Sequence, residues 1–402
     1  MACLCATLLL PGCVQVYPTS EPASIRFAFV NDGELEYYQR LVTEFNERYP
    51  HITVELDPIP WQSQSGFTPD RADTFSIWNQ ATFAAWQRQG EILDLMPFIE
   101  QEKRFDLDDL YPVAVEFYAL DGQQWAIPSH VDPVVIFYNV DLFDRYGVAY
   151  PETGWTWEDL LDKAIALRDP AQDVFGFAAD PQDVVLFVHQ HGGQILDDWR
   201  NPTHTTFDHP LTLETLQWYD ALVNEYDAAP TLDQAGVAFP PYSSLYYGFL
   251  KDKVGMIMST FSSQGGARWG EWQWEMQWGM VPLPRDQVEA TLALCGGYAL
   301  SATSSYPEAG WTWLSFLSEQ MPLYGVPARK SLAESEAFVE HVGAEAASVG
   351  RHAVQHAWAP YYARSEAAEA IENFGTAVDY VINHDMAPLE ALEWAQRRAT
   401  FK

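Results

Sequence analysis

The chain has 402 residues, of which 48% are hydrophobic and 19% are charged, so it can bury a sizeable core and is not of the disordered class. Its 56 acidic residues against 22 basic residues give a net charge of −34, and the basic residues are scattered along the sequence. Nucleic acid and anionic membrane surfaces are therefore excluded as partners.

The first 23 residues predict a targeting signal and a tether. An apolar run at residues 6–10 leads to Gly12 and Cys13, an arrangement that resembles the lipobox of bacterial lipoproteins, whose cysteine is acylated. No Lys or Arg precedes Cys13, so we expect the recorded start to lie inside a longer signal. The alternative is a buried N-terminal strand. No later stretch reaches the roughly 18 to 20 apolar residues of a membrane span, and Cys295, the one cysteine beyond this segment, has no partner for an internal disulfide.

The rest of the chain alternates predicted strands and helices. Residues 24–30 and 51–56 have strand patterns, and apolar residues recur at helical spacing from 35 to 49 between them. Such a β-α-β unit is typical of an α/β sheet, whose strand ends carry ligand loops. Further strands are predicted at residues 134–138, 175–177, 253–259, 279–284 and 298–302, and a tight hairpin at residues 121–123. Further helices are predicted at residues 80–89, 141–147, 157–168, 184–191, 211–226, 307–318, 365–384 and 388–399.

Several short motifs follow one another in an order that resembles the extracellular solute-binding proteins of family 1, the sugar-binding proteins that serve ABC importers. The most specific are DGQQWAIP at residues 121–128 and IFYNVDLF at residues 136–143, where members of that family cross from one lobe to the other. The others are LVTEFN at 41–46, YPHITV at 49–54, GEILDL at 90–95, TWEDL at 156–160, GGQILD at 192–197, KVGM at 253–256, VPLP at 281–284 and GVPARKS at 325–331. Each motif alone is weak, whereas their common order is specific.

The resemblance implies an α/β fold of the two-lobed periplasmic-binding-protein type II class, with an interlobe cleft and crossing hinge strands. We expect lobe 1 to comprise residues 24–127 and 283–318, and lobe 2 to comprise residues 130–280 and 325–402. The resemblance also implies that the protein is a monomer outside the cytoplasm and needs no cofactor. Only a lipid anchor would hold it at the membrane. Such a protein captures a neutral carbohydrate by hinge closure, without chemical change, and delivers it to the permease subunits of an ABC transporter.

The resemblance further implies a set of ligand-binding residues in the cleft. Aromatic rings stack on the C–H faces of sugars, while amide, carboxylate and guanidinium groups bind the hydroxyls. The expected residues are Asn31, Asp32, Asp73, Trp78, Gln182, Phe261, Trp269, Tyr298 and Arg329.

Structural alternatives exist for several of these residues. Asn31 or Asp32 also suits a helix cap, Trp78 a core position, and Arg329 an ion pair. The sequence departs from the family at Asp73, where Ala-Asp-Thr replaces the usual Pro-Asp-Val, and at Phe261, near the position of a stacking Trp in many members. Four tryptophans lie at positions 269, 272, 274 and 278, and the alternation of 272, 274 and 278 also fits a strand face packed in a core.

The sequence leaves three alternatives to sugar binding: a metal site, a glycoside hydrolase and a peptide-binding receptor. His189 and His191, and His352 and His356 at helical i, i+4 spacing, offer a metal alternative. No HExxH motif or cysteine pair accompanies them, and a surface helix explains the second pair, so no metal site is expected. A secreted glycoside hydrolase would need two carboxylates at a defined separation, which 56 acidic residues supply by chance. A peptide-binding receptor of the same fold would differ only in its cleft.

Overall fold

The computed structural model describes residues 22–399, apart from residues 32, 78–79, 200–201, 242–243, 267–272 and 359–364. The strands are β1 (Ala23–Asn31), β2 (Ile52–Pro60), β3 (Thr74–Ile77), β4 (Ala119–Leu120), β5 (Gln123–Gln124), β6 (Ile127–Asn139), β7 (Phe175–Ala178), β8 (Val254–Thr260), β9 (Trp278–Val281), β10 (Thr291–Leu300), β11 (Val326–Pro327) and β12 (Ala357–Trp358).

The helices pack on both sides of these strands. They are α1 (Leu35–Arg48), α2 (Gln80–Gln89), α3 (Met96–Gln101), α4 (Pro112–Tyr118), α5 (Val140–Tyr146), α6 (Trp157–Leu167), α7 (Val184–Gln190), α8 (Pro210–Asp220), α9 (Leu232–Ala238), α10 (Leu245–Leu250), α11 (Pro307–Ser318), α12 (Lys330–Ala333), α13 (Glu336–Val342), α14 (Ala344–Gln355), α15 (Ser365–Ile382) and α16 (Pro388–Arg398). None of the described helices combines the length and hydropathy of a membrane span.

Local sequence explains where several elements begin. The Thr156 hydroxyl accepts a hydrogen bond from the Asp159 backbone N–H, and the Asp159 carboxylate accepts one from the Thr156 N–H, which is the capping box that starts α6. Asn139 caps α5 with a single hydrogen bond, which its Oδ1 atom accepts from the Leu142 backbone N–H. Asp121 and Gly122 both have positive φ, as the predicted hairpin between β4 and β5 requires.

The first sheet region is mixed, with parallel and antiparallel pairs. β1 pairs in parallel with β2 on one side and with β3 on the other, and the predicted β-α-β unit is therefore confirmed. β3 pairs antiparallel with the C-terminal part of β10, which pairs antiparallel with β6. We call this region and its helices lobe 1.

The second sheet region uses the other end of β6. Residues 134–139 of this strand lie between β8 and β9, both antiparallel to it, and β7 pairs in parallel with β8. We call this region and its helices lobe 2. β6 runs through both regions, and β10 leads from lobe 2 into lobe 1; we call these two strands the crossing pair.

Two hydrophobic cores follow from the alternation of side chains along β6. Val135 and Phe137 join the cluster that contains the packed aromatic rings of lobe 1. Among these rings, Phe45 and Trp313 meet edge-on with their centroids 5.0 Å apart. Ile136, on the opposite face of the strand, joins the second cluster. Because neighbouring strand residues point to opposite faces, one strand stabilises both cores.

Two segments make backbone contacts across the expected lobe boundaries. Residues 283–290 were expected in lobe 1, but the Arg285 backbone N–H donates to the Trp155 carbonyl at 2.9 Å in lobe 2. The chain therefore returns to lobe 1 only along β10. Residues 325–331 were expected in lobe 2, but the Tyr111 N–H of lobe 1 donates to the Ala328 carbonyl at 2.9 Å.

The contact between β7 and α6 gives a stability test. A Cβ added at Gly176 would lie 2.0 Å from the Ala164 carbonyl oxygen, and that atom belongs to the backbone, so it cannot rotate away. We expect Gly176→Ala to lower the free energy of unfolding by about 3 kcal/mol or more, measured by urea denaturation.

Gly236→Ala is the matched control, because no atom lies within 4 Å of a Cβ added there in α9. Alanine has the higher helix propensity, so this variant should be neutral or slightly more stable. Equal losses in the two variants would contradict the described approach of β7 to α6.

Candidate functional site in the cleft between the lobes

The carboxyl ends of strands from both lobes converge on the crossing pair. In lobe 1, β3 ends at Ile77, which pairs with Gly297 in the middle of the molecule, and β1 ends at Asn31 on the same edge. In lobe 2, β8 ends at Thr260, which pairs with Val134 where β6 enters that lobe. Loops that follow parallel strands at this edge are the usual place for a ligand.

Asn31 carries an unused hydrogen-bond acceptor at this edge. Its Oδ1 atom is buried and has no hydrogen-bond partner among the described residues. A buried amide oxygen without a partner costs free energy, which a ligand hydroxyl would recover. The position therefore favours a polar ligand.

Asp132 joins the crossing strand β6 to the turn after β8. Its carboxylate is buried and accepts two hydrogen bonds from Ser262, one from the backbone N–H at 2.8 Å and one from the hydroxyl at 2.6 Å. The turn at residues 261–266 is thereby fixed to the strand that both lobes share.

His130 lies where the crossing pair is irregular. A Cβ on Gly296 would lie 2.0 Å from its ring, and a Cβ on Gly325 would lie 2.8 Å from it, so two glycines make room for the imidazole. The register of β6 against β10 shifts between Gly296 and Gly297, and the Ser129 hydroxyl lies 2.9 Å from His130 Nδ1. The glycines and the register shift therefore interrupt the regular pairing of β6 with β10 beside His130.

The loop after β7 contains a carboxyl group with an unusual pKa. Residues 181–183 form a 3₁₀ turn that Asp180 caps by accepting from the Gln182 N–H. Burial, and secondly the charge of Asp180, raise the pKa of Asp183 to about 7. A carboxyl group that is partly protonated near neutral pH therefore lies at the cleft edge of lobe 2.

A cavity of about 620 Å³ lies between the lobes on the α4 side of the crossing pair. Its walls include Tyr111 and Phe117 from lobe 1 and Trp199 and Trp358 from lobe 2. Trp358 also stacks on His189 with ring centroids 4.7 Å apart, and burial lowers the pKa of that histidine. The walls of this cavity therefore come from both lobes.

The chain resembles known proteins over most of its length. The family described as bacterial extracellular solute-binding protein matches residues 31–320. The chain belongs to this family. The arabinooligosaccharide-binding protein of Bacillus subtilis is 22% identical over 260 residues, which cover 61% of this chain and 57% of that protein.

Solved structures confirm the two-lobed fold of this solute-binding protein. An ABC substrate-binding protein of Listeria monocytogenes in complex with cycloalternan has a TM-score of 0.75 at 21% identity, over 94% of this chain and 98% of that one. The sugar-binding protein MalE of Xanthomonas citri has a TM-score of 0.76 at 18% identity, over 94% of this chain and 96% of that one. The predicted α/β type II fold with crossing strands is therefore confirmed.

Asp73 lies at the wrong end of its strand to bind a ligand in the cleft of this solute-binding protein. It precedes β3, on the edge of the sheet opposite Asn31. Its carboxylate accepts from the Arg26 backbone N–H at 2.8 Å and from the Ser304 hydroxyl at 2.6 Å. The residue fixes the amino ends of two strands, and this position disfavours the predicted ligand contact.

Phe261 and Tyr298 are core residues rather than cleft surfaces. Phe261 is fully buried against α14, where a Cβ on Gly350 would touch its ring. Tyr298 packs edge-on against Phe27 at 6.0 Å, and its hydroxyl bonds to Tyr38 and Ser129. Burial raises the pKa of Tyr298 to about 12. Neither side chain is available to a ligand in this arrangement.

Arg329 forms the structural ion pair that the sequence left open. Its guanidinium donates to the Asp109 carboxylate at 3.2 Å and to the Ser318 carbonyl and hydroxyl at 3.0 and 2.9 Å, and it lies over the Phe105 ring at 4.8 Å. Only 11% of the side chain is exposed. These contacts favour the structural role over the predicted ligand contact.

The other predicted site residues fall into two groups. Asn31 and the exposed Gln182 lie at the cleft edges of lobes 1 and 2, respectively, and their ligand contacts stay predictions. Four predicted residues lie outside the described part of the chain: Cys13, Asp32, Trp78 and Trp269. The core alternative for the tryptophan cluster is confirmed at Trp274, which is buried and donates from Nε1 to the Tyr246 hydroxyl at 2.7 Å.

The sequence did not single out Asp132 or Asp183 as site residues. Asp132 interrupts the otherwise apolar run of residues 131–138, and a carboxylate at a buried strand position is a signal that needs a partner to explain it. Asp183 offers no such signal, because its raised pKa depends on how α7 and the preceding turn are buried.

The raised pKa of Asp183 predicts a pH-dependent stability. The folded protein holds this proton up to about pH 7, whereas the unfolded chain releases it near 3.8, so the free energy of unfolding falls as the pH rises between these values. From pH 5 to pH 8 the free energy of unfolding of the wild type should fall by about 3 kcal/mol because of this group. The Asp183→Asn variant should not show this decrease, and urea denaturation measures both.

Asp162→Asn is the control, because Asp162 is an exposed carboxylate on α6. It should follow the wild type at every pH. A wild type and an Asp183→Asn variant with parallel pH profiles would contradict the assigned burial of this carboxyl group.

Proposed function

We propose that this protein is the substrate-binding component of an ABC importer, which captures a neutral carbohydrate between its lobes and delivers it to the permease. The observation that carries this proposal is the membership of the solute-binding family together with two α/β lobes joined by a crossing pair. Two of the similar proteins, an arabinooligosaccharide-binding protein and a substrate-binding protein in complex with cycloalternan, support a carbohydrate as the ligand.

Hinge closure is the proposed working motion. A ligand that contacts both lobes only in the closed form shifts the population toward that form, and the closed form is what a permease can recognise. The proposed moving bodies are residues 24–127 with 297–318, and residues 134–290 with 336–399. Strand pairing and the contacts of residues 283–290 support these bounds.

The proposed ligand contacts come from loops on both cleft edges. Asn31 and Asp32 would bind hydroxyl groups from lobe 1, and Gln182 from lobe 2, while Trp78 and Trp269 would stack on sugar rings. The net charge of −34 disfavours an anionic ligand.

The protein is proposed to bind the carbohydrate without cleaving it. Hydrolysis of a glycosidic bond needs one carboxyl group to protonate the leaving group and a second one on the other side of the bond. Of the two missed carboxyl groups, Asp132 is already held by two hydrogen bonds from Ser262. Cleavage of a bound sugar would indicate a glycoside hydrolase, and binding of peptides alone would indicate a peptide-binding receptor.

Calorimetric titration with a panel of neutral oligosaccharides and peptides tests the ligand class. We expect a sugar to bind with no change in its mass afterwards. Trp78→Ala should weaken binding by about tenfold or more, since a lost stacking ring costs about 1 to 3 kcal/mol. Asn31→Ala should weaken binding several-fold, because one hydrogen bond to the ligand is lost.

Asp73→Asn is the control on the opposite edge of the same sheet, and it should leave the affinity unchanged at a temperature where all variants are folded. Binding of peptides alone, or recovery of a cleaved sugar, would contradict the proposal. Unchanged affinity in both Trp78→Ala and Asn31→Ala would contradict the proposed contacts.

We also propose a lipid anchor at Cys13, supported by the apolar run that ends at Gly12 and by the polar tether that follows. Expressed from the natural gene in a bacterial host, the wild type should sediment with membranes, and Cys13→Ala should stay in the soluble fraction. Cys295→Ala is the control, since that thiol is buried. Equal partitioning of wild type and Cys13→Ala would contradict the anchor.

A further inference from the structure

Three side chains from distant parts of the sequence converge beside the start of β10. Glu289, His352 and His356 each present one donor atom, and these atoms all lie within 4.8 Å of one another. His352 Nε2 is 2.5 Å from Glu289 Oε1, and His356 Nε2 is 3.6 Å from Glu289 Oε2. Both imidazoles therefore point the same ring nitrogen at one carboxylate.

We propose that Glu289, His352 and His356 form a binding site for a divalent transition-metal ion, and that zinc is the ion that fits it. Two imidazole nitrogens and one carboxylate oxygen are a donor set that zinc accepts, with the fourth tetrahedral position left for water. Two donors on one tetrahedral zinc lie about 3.4 Å apart. Donors that already lie within 4.8 Å reach this spacing by small side-chain rotations.

The orientation of His356 supports this assignment independently. Its Nδ1 lies 3.0 Å from the His352 carbonyl oxygen, so Nδ1 carries the proton and donates it to that oxygen. The Nε2 lone pair then faces Glu289 and is available to a metal. A backbone carbonyl that fixes the far ring nitrogen is the usual support of a metal-bound histidine.

The backbone on both sides of the site is held in place. The Gln190 carbonyl accepts from the Val288 N–H at 2.9 Å, and the Gln190 side chain donates to the Ala290 carbonyl at 2.7 Å, so the residues flanking Glu289 are clamped. The Thr291 N–H donates to the His356 carbonyl at 3.1 Å. The donors are therefore pre-positioned, while about a quarter to a third of each side chain stays exposed to an entering ion.

A second histidine with two carboxylates lacks this convergence. The two ring nitrogens of His191 contact different carboxylates, Asp286 at Nδ1 and Glu214 at Nε2. These nitrogens lie on different sides of the ring, so a single ion cannot replace both contacts. Convergence on one point is what distinguishes the Glu289 site.

Metal binding at this site would tie the end of α14 to the segment that enters the crossing pair. A ligand that binds only the folded state stabilises it by mass action. The net charge of −34 also raises the local concentration of divalent cations around the protein. Binding displaces the proton that lies between His352 Nε2 and Glu289 Oε1, and this proton leaves to solvent.

The test uses the full chain without an affinity tag, stripped with chelator and titrated with zinc chloride by calorimetry. We expect one ion per chain at this site, a binding enthalpy that depends on the ionisation enthalpy of the buffer because a proton is released, and a rise in the thermal midpoint. Glu289→Gln and His356→Ala should each lower the affinity of this site by about 100-fold or more, since even outer partners of a metal contribute 10- to 100-fold.

His204→Ala is the matched control, because His204 is an exposed histidine that also lies beside a carboxylate, Asp197. It should bind zinc as the wild type does. Circular dichroism of the chelator-treated variants shows whether they are folded. Glu289→Gln should disturb the metal-free fold least, because its amide oxygen can still accept a hydrogen bond from His352. The proposal is overturned if zinc does not bind the wild type, or if Glu289→Gln and His356→Ala bind it with unchanged affinity and unchanged thermal midpoints.

Discussion

The hydrogen-bonded pairing of β6 with β10 is the constraint on which both lobes depend. β6 contributes residues 127–133 to this pairing and residues 134–139 to the sheet of lobe 2. β10 continues from the pairing into lobe 1, where it meets β3. Each lobe therefore completes its sheet with a strand that it shares with the other lobe, and neither sheet is independent of the crossing pair.

The crossing pair also combines firm and adaptable positions. The Asp132 carboxylate fixes the turn after β8 to β6, so that turn moves with the strand. Further along, the register shift at Gly296 and Gly297 and the glycine-walled space around His130 interrupt regular pairing. The proposed hinge motion would bend the crossing pair where this regular pairing is interrupted.

The elements and the fold class could be predicted from the sequence because their signals are local. The strands predicted at residues 24–30 and 253–259 and the capped helix predicted at residues 157–168 are present with small changes at their ends. The length of β6 could not be predicted, since Pro128, His130, Asp132 and Pro133 interrupt its apolar pattern. Only pairing with β10 and β11 makes these residues part of a strand.

The candidate site was predicted less well because its residues depend on distant partners. Arg329 bonds to Asp109, 220 residues earlier in the chain, and no local pattern reveals that ion pair. Asp73 was assigned to the cleft, although it precedes its strand and lies at the opposite edge of the sheet. Glu289 is 63 residues from His352, so the histidine pair on the predicted helix gave no indication of its third donor.

Small-angle X-ray scattering with and without a saturating neutral oligosaccharide tests the central claim most directly. If the two lobes close around a ligand by bending at the crossing pair, the radius of gyration must decrease on saturation, while the far-ultraviolet circular dichroism stays the same. A sugar that binds stoichiometrically by calorimetry and leaves the radius of gyration unchanged would contradict the hinge account.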